Sequence, residues 1–269
     1  MVIRNPRAKR PDLNADIEVA ERAARAAADV LISAHGRPPE GLGSKSSETD
    51  LVSDADRGAE RAVRELLALE RPDDGLLAEE GSRHDAASGR RWIVDPLDGT
   101  VNFLYGFPVW AVSVALEDAE DVVVGVVLDP VRDECFMAQR GRGAHLRDAG
   151  GGVTPLRVRE QRELGRALVA TGFSYEPARR AIQADVVRDV LPRVRDIRRA
   201  GAAALDLSWL AAGRVDAYYE RGLNSWDWAA GRLLVEEAGG RVADLDGDPF
   251  GLIAAATPEL LDELAALVP

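Results

Sequence analysis

The chain has 269 residues, 46% of them apolar and 30% charged, which excludes a disordered polymer and leaves room for one large domain or two modest ones. The longest apolar runs, 109–116 and 122–128, fall far short of the roughly 20 residues of a membrane helix, and the basic segment 1–11 leads into an acidic helical pattern instead of a signal-peptide core, so a cytoplasmic protein with no membrane contact is expected. A formal net charge of -12 argues against nucleic acid as a partner, because phosphate backbones are bound by clustered Lys and Arg; a phosphate ligand here would have to be neutralised by bound divalent cations.

Ile17, Ala20, Ala24, Ala27 and Leu31 recur at helical spacing and predict a first helix over 11–35, stopped by Gly36. Ser53 caps a second helix with apolar face Ala59, Val63, Leu66 and Leu67, ending before Pro72, with Asp54 and Asp56 in its first turn. Strands are expected at 76–80, 92–97, 110–117, 122–128 and 134–139. The glycines Gly150 to Gly152 before Pro155 mark a boundary between an N-terminal α+β portion, 1–152, and a C-terminal α/β portion, 153–269. In the latter, strands at 167–171, 195–199, 215–220 and 252–256 alternate with helices near 179–194, 202–212 and 226–238, which reads as α/β layering. Thr257 and Pro258 start a terminal helix as cap and first residue. The single cysteine, Cys135, has no His or Cys beside it in sequence and reads as buried packing.

The run Trp92-Ile93-Val94-Asp95-Pro96-Leu97-Asp98-Gly99-Thr100 drives a strand into two carboxylates separated by a proline. Pro96 cannot make a central ladder bond, so Asp95 and Asp98 are expected in a turn at the strand's end, where hard oxygen donors can converge on magnesium. A helical turn starting at Gly99 would turn its N–H groups toward a phosphate. The same string also serves ordinary surface turns. Glu79 and Glu80 end another apolar strand, and alternation lets only one of them face a shared site. Asp227, between Trp226 and Trp228, reads locally as a helix-capping aspartate.

Taken together, Lys45-Ser46-Ser47 with Asp50 to Asp56, Glu79-Glu80, the run from Trp92 to Phe103, Gly201-Ala202-Ala203-Ala204, Asp216 to Glu220, and Trp226-Asp227-Trp228-Ala229-Ala230-Gly231 resemble the inositol monophosphatase family over nearly the whole chain. The resemblance implies a five-layer αβαβα sandwich, a homodimer, inhibition by lithium, and hydrolysis of an inositol monophosphate by two or three Mg2+ ions. It implies Glu79, Asp95, the main-chain carbonyl of Leu97, Asp98 and Asp227 as metal ligands, with Asp95 bridging. Asp56 and Thr100 match the pair that orients and deprotonates the attacking water, and Glu79 also holds the third ion.

Backbone N–H groups at Gly99 and Thr100 would cradle the phosphate, alongside Asp98 and Asp227. Glu220 matches the position that binds a ring hydroxyl, and the Ala203 amide the position that meets another. Ala202 departs from the Ser or Thr common at that place. Lys45 falls in the loop that covers the site in relatives. Related phosphatases acting on fructose 1,6-bisphosphate, histidinol phosphate or 3'-phosphoadenosine 5'-phosphate would carry the same metal motifs, and a regulatory protein retaining the metal site is the alternative from another class.

Overall fold

The alanine spacing near the start of the chain produces helix α1 (Leu13–Ala34), whose buried face is Val19, Ala20, Ala23, Ala24, Ala27 and Leu31. Small side chains on that face let it lie close to its neighbours. The computed structural model describes residues 13–37, 40–44 and 51–269, so Lys45, Ser46, Ser47 and Asp50 lie outside the described residues. Two short strands, β1 (Gly43–Ser44) and β2 (Leu51–Val52), pair antiparallel. Helix α2 (Asp54–Glu70) then begins with a capping box: the Ala55 N–H donates to Ser53 Oγ, and the Ser53 N–H donates to Asp56 Oδ2.

Eight strands form the first sheet: β3 (Gly75–Ala78), β4 (Arg83–His84), β5 (Arg91–Asp98), β6 (Ala111–Glu117), β7 (Val122–Asp129), β8 (Glu134–Gln139), β9 (Ala144–Arg147) and β10 (Val153–Pro155), in the order β10-β9-β8-β7-β6-β5-β3-β4. Only β3 and β5 run parallel. A short helix, α3 (Thr100–Leu104), sits between β5 and β6.

The second sheet follows the order β12-β11-β13-β15-β14. Its strands are β11 (Leu168–Thr171), β12 (Asp196–Arg198), β13 (Ala217–Arg221), β14 (Arg241–Leu245) and β15 (Gly251–Ala255), interleaved with α4 (Pro177–Val190), α5 (Ala203–Ala211) and α6 (Ser225–Glu237) and closed by α7 (Pro258–Ala265).

Strand alternation sorts these elements into five layers. On β6, Val112, Val114 and Leu116 join the core under α1 and α2, whereas Ala111 and Ala115 join the core shared with α5 and α6. On β13, Tyr218 faces that central helical layer, and Ala217 and Tyr219 face the outer core with α7. The order is therefore helices, sheet, helices, sheet, helices, the expected αβαβα sandwich. Gly125 on β7 is what brings α6 close: a Cβ there would meet the Ala230 carbonyl oxygen at 2.9 Å.

Three readings are corrected. The strand expected over 92–97 does not leave Asp95 and Asp98 in a turn at its end. It continues to Asp98 with a register shift, Asp95 opposite Ser113 and Asp98 opposite Ala111, because a bulge accommodates a residue without an N–H. The glycines 150–152 sit in the β9–β10 hairpin, so the change of sheet falls after Pro155. Asp227 occupies the third position of α6, with Asn224 as its cap.

Candidate active site

Each carboxylate reaches the site by a different local device. On β5, Asp95 shares the inward face of Ile93, and its Oδ1 accepts from the Leu97 N–H at 2.9 Å, a side-chain bond that stabilises the bulge. Asp98 turns to the N-terminus of α5, where its Oδ1 accepts from the Ala203 N–H at 3.2 Å and its Oδ2 from the Ala204 N–H at 2.8 Å. The Ala203 amide expected to meet a substrate hydroxyl is committed to Asp98, because the first N–H groups of a helix have no internal partner. Asp227 Oδ2 accepts from the Asn224 N–H at 2.6 Å, the back-bond of a capping box.

Glu79 follows β3 and lines the same cleft of about 230 Å³ as Asp95, Leu97, Asp98 and Asp227. Its neighbour Glu80 lies on the other side, its N–H donating to Glu60 Oε2 at 2.6 Å. The Glu79–Glu80 pair is split between two faces as expected, but the strand expected over 76–80 ends at Ala78, so the turn that follows β3 divides them and not strand alternation.

Thr100 opens α3, and its hydroxyl lies 3.0 Å from Asp56 Oδ1 and 3.1 Å from the Leu97 carbonyl oxygen. Gly99 makes this turn in the left-handed region, φ +89°, and a Cβ there would lie 3.0 Å from the Val109 carbonyl oxygen. Asn102 fastens α3 to the far wall, donating from Nδ2 to the carbonyls of Val109 at 2.7 Å and Ala200 at 2.9 Å. Glu220 lines the opposite wall, with Tyr218 Oη donating to its Oε2 at 2.8 Å.

Burial governs the electrostatics, and crowding of negative charge adds to it at the metal-set carboxylates. Burial, then the charges of Glu79, Asp98 and Asp227, hold the Asp95 carboxyl well above the usual range. Burial raises Asp227 likewise, with the Glu79 charge adding to it. Burial pushes Asp98 up to about 7 against the opposing Ala204 N–H bond, and Glu220 up to about 6 against the Tyr218 bond and the Arg199 charge. Among the described residues no three of these side chains already form a closed cation cage. The donor set is nonetheless all hard oxygen and strongly anionic, which is the chemistry that fits magnesium and not a soft metal. A larger cavity, about 600 Å³ between α1, α2 and α3, lacks such a cluster. Cys135 is buried with its thiol pushed up to about 12 by burial, a packing residue as read.

Sequence reasoning used Asn102 only as part of a motif and did not single out Tyr218, Gly172, Arg199 or Asp206. Asp206 is buried in α5 with its carboxyl raised well above the usual range by burial and by the charges of Glu220 and Asp98. No local pattern marks Gly172, Arg199 or Asp206, because each meets Glu220 from another element, and Tyr218 two residues before Glu220 reads as an ordinary strand residue.

The sequence model of the inositol monophosphatase family matches residues 12–268. The chain belongs to that family. It is accordingly a phosphatase enzyme, and its layered fold is the family's. Among its relatives, the inositol-1-monophosphatase SuhB of Mycobacterium tuberculosis H37Rv is 44% identical over 230 residues, 82% of this chain and 79% of that one. The Nus factor SuhB of Pasteurella multocida is 38% identical over 258 residues, 94% of this chain and 95% of that one. The crystal structure of the extragenic suppressor protein suhB from Bartonella henselae superposes with a TM-score of 0.86 at 39% identity, covering 94% of this chain and 98% of that one. In this family member residues that follow strands of both sheets line one cleft, and no helix among its described residues is long and apolar enough to cross a membrane.

Proposed function

We propose that the enzyme hydrolyses a phosphate monoester of a polyol, in the first place inositol 1-phosphate, to the free polyol and inorganic phosphate. The observation that supports this most directly is the sharing of one cleft by Glu79, Asp95, Asp98, Asp227 and Thr100 on one side and Glu220 on the other. Burial first, and then the neighbouring negative charges, hold these carboxyls above their usual range, and a bound divalent cation would offset both.

In this reading Glu79, Asp95, the Leu97 carbonyl, Asp98 and Asp227 hold two or three Mg2+ ions. When bound, Mg2+ supplies a nucleophilic water at neutral pH, a clamp on the phosphoryl oxygens and stabilisation of the leaving alkoxide. Thr100 donates its hydroxyl hydrogen to Asp56, so its lone pairs are free to accept from the attacking water and hold it in line with phosphorus. Asp56 is the base within reach of that pair, kept in place by the Ser53 N–H. The N–H groups of Gly99 and Thr100 receive the phosphate, and glycine at position 99 makes the left-handed turn this needs without strain. Glu220 accepts from a ring hydroxyl. The water oxygen bonds to phosphorus, the bond from phosphorus to the ring oxygen breaks, and that oxygen leaves as a hydroxyl once protonated.

The same reading carries inhibition by Li+ at a magnesium position, a homodimer and a cytoplasmic setting, the dimer being measurable by light scattering. The deciding experiment is phosphate release from inositol 1-phosphate with and without Mg2+, with fructose 1,6-bisphosphate in parallel. Mg2+-dependent release favouring inositol 1-phosphate supports the assignment. Release from the bisphosphate alone keeps the metal chemistry and overturns the substrate.

A further inference from the structure

Glu220 is one of the cleft's carboxylates that the proposed metal set leaves unused, and its surroundings are built more tightly than a simple wall residue requires. It lies on β13 two residues after Tyr218, so both side chains leave the same face of the strand. Tyr218 is fully buried, and its hydroxyl donates to Glu220 Oε2 at 2.8 Å. Among the described residues Oε1 has no hydrogen-bond partner, and it belongs to a residue that lines the cleft.

On the other side stands Gly172, at the end of β11, also part of the cleft wall. A Cβ at this position would fall inside the van der Waals radius of both carboxylate oxygens of Glu220. Its φ is not in the left-handed region, so backbone conformation does not demand glycine there; the demand comes from the carboxylate seated against it. A third contact is electrostatic. Arg199, also in the cleft wall, makes no ion pair with a described residue, rests its guanidinium 5.7 Å from the Phe173 ring centroid, and holds the Glu220 carboxyl down toward the ionised form.

A hydroxyl that bonds one carboxylate oxygen holds the side chain in the orientation seen, and the Cβ missing at Gly172 leaves the room that this orientation needs. We propose that Tyr218 and Gly172 are positioning residues that fix Glu220, so that Oε2 is spent on Tyr218 and Oε1 is presented to one hydroxyl of the substrate's leaving group. This rests on the reading of Glu220 as the hydroxyl acceptor. It goes beyond that reading by assigning the enzyme's discrimination between hydroxylated and plain leaving groups to a buried phenol and a missing side chain that touch no substrate.

The test compares kcat and KM on inositol 1-phosphate and on 4-nitrophenyl phosphate, which has no ring hydroxyl, at saturating Mg2+. Loss of one hydrogen bond to a buried carboxylate is worth about a ten- to hundredfold effect. Tyr218→Phe and Gly172→Ala should each lower the ratio of kcat/KM on inositol 1-phosphate to that on the aryl phosphate by that factor, with the change in KM. An equal change on both substrates, or none, overturns the proposal. Gly172→Ala removes no buried hydrogen bond from the core, so it decides the matter if Tyr218→Phe fails to fold. Glu220→Gln separates the two levels. If Glu220→Gln leaves the ratio unchanged, the hydroxyl-acceptor reading fails; if it lowers the ratio and neither positioning variant does, only the positioning assignment fails.

Discussion

Thr100 and Asp56 are 44 residues apart in the chain, and the threonine hydroxyl lies 3.0 Å from Asp56 Oδ1. The other oxygen of Asp56 is engaged in the capping box of α2. One carboxylate therefore ties the start of a helix in the outer layer to the hydroxyl at the bulged end of a central strand. Removing the hydroxyl without changing the shape should cost chemistry and little binding. Thr100→Val is expected to lower kcat by on the order of 10²- to 10⁴-fold with KM within a factor of about three, while Thr100→Ser retains most of the rate. Steady-state phosphate release measures both, and a Thr100→Val enzyme of near-normal kcat would remove Thr100 from the water-orienting role.

Asp98 accepts two N–H bonds from α5 and belongs to the proposed metal set, and its substitution reports on both. Asp98→Asn keeps the shape, removes a charge from the cluster and turns one amide toward a backbone N–H of α5. Turnover should fall at least on the order of 10²-fold, with far-UV circular dichroism unchanged and Mg2+ binding weakened in calorimetry. Near-normal activity in this variant would count decisively against the metal-site reading.

Gly99 is constrained by backbone geometry and by space together. Gly99→Ala would force a side chain into φ +89° and against the Val109 carbonyl oxygen. A destabilisation of about 1–3 kcal/mol is expected from the strained conformation, read as a lower urea midpoint at unchanged slope. An unchanged midpoint would show that the turn can open without cost.

Glu220 supplies the pH dependence. Its folded-state carboxyl is raised from 4.5 to about 6, by burial first. A raised acid binds its proton more tightly when folded, so this group's contribution to stability is present below the unfolded value and lost as pH rises through about 6. Ionisation also creates the acceptor that a ring hydroxyl requires. KM for inositol 1-phosphate should therefore fall as pH rises through about 6, relative to KM for 4-nitrophenyl phosphate, and Glu220→Gln should abolish that relative change. A pH profile shared by both substrates and kept in Glu220→Gln would assign the titration to another group.

The parts legible in the sequence are those encoded by neighbours along the chain. Ser53 with Asp56 announces a helix start, Thr257 with Pro258 another, and the run from Trp92 to Thr100 announces paired carboxylates beside a glycine turn. Strand alternation predicts Glu79 and Glu80 on opposite sides, and the turn after Ala78 separates them instead. Strand β14 escaped notice because only Leu245 is buried among its five residues, and β4, β9 and β10 are too short to show a period. The glycines 150–152 punctuate a hairpin as readily as a domain boundary, since the same φ freedom serves both.

Local chemistry alone determined which residues could be helix caps, turn glycines and oxygen ligands, because those properties depend on a residue and its near neighbours. Tertiary structure decided which oxygen atoms share a cleft, that the Ala203 N–H belongs to Asp98, and that Asn102 spans to Ala200 across 98 residues. It also decided that Tyr218 bonds Glu220 and that Gly172 leaves room for its carboxylate. These relationships arise where two sheets close on one helical layer, and burial there sets both the geometry and the pKa values of groups whose own sequence surroundings contain no trace of it.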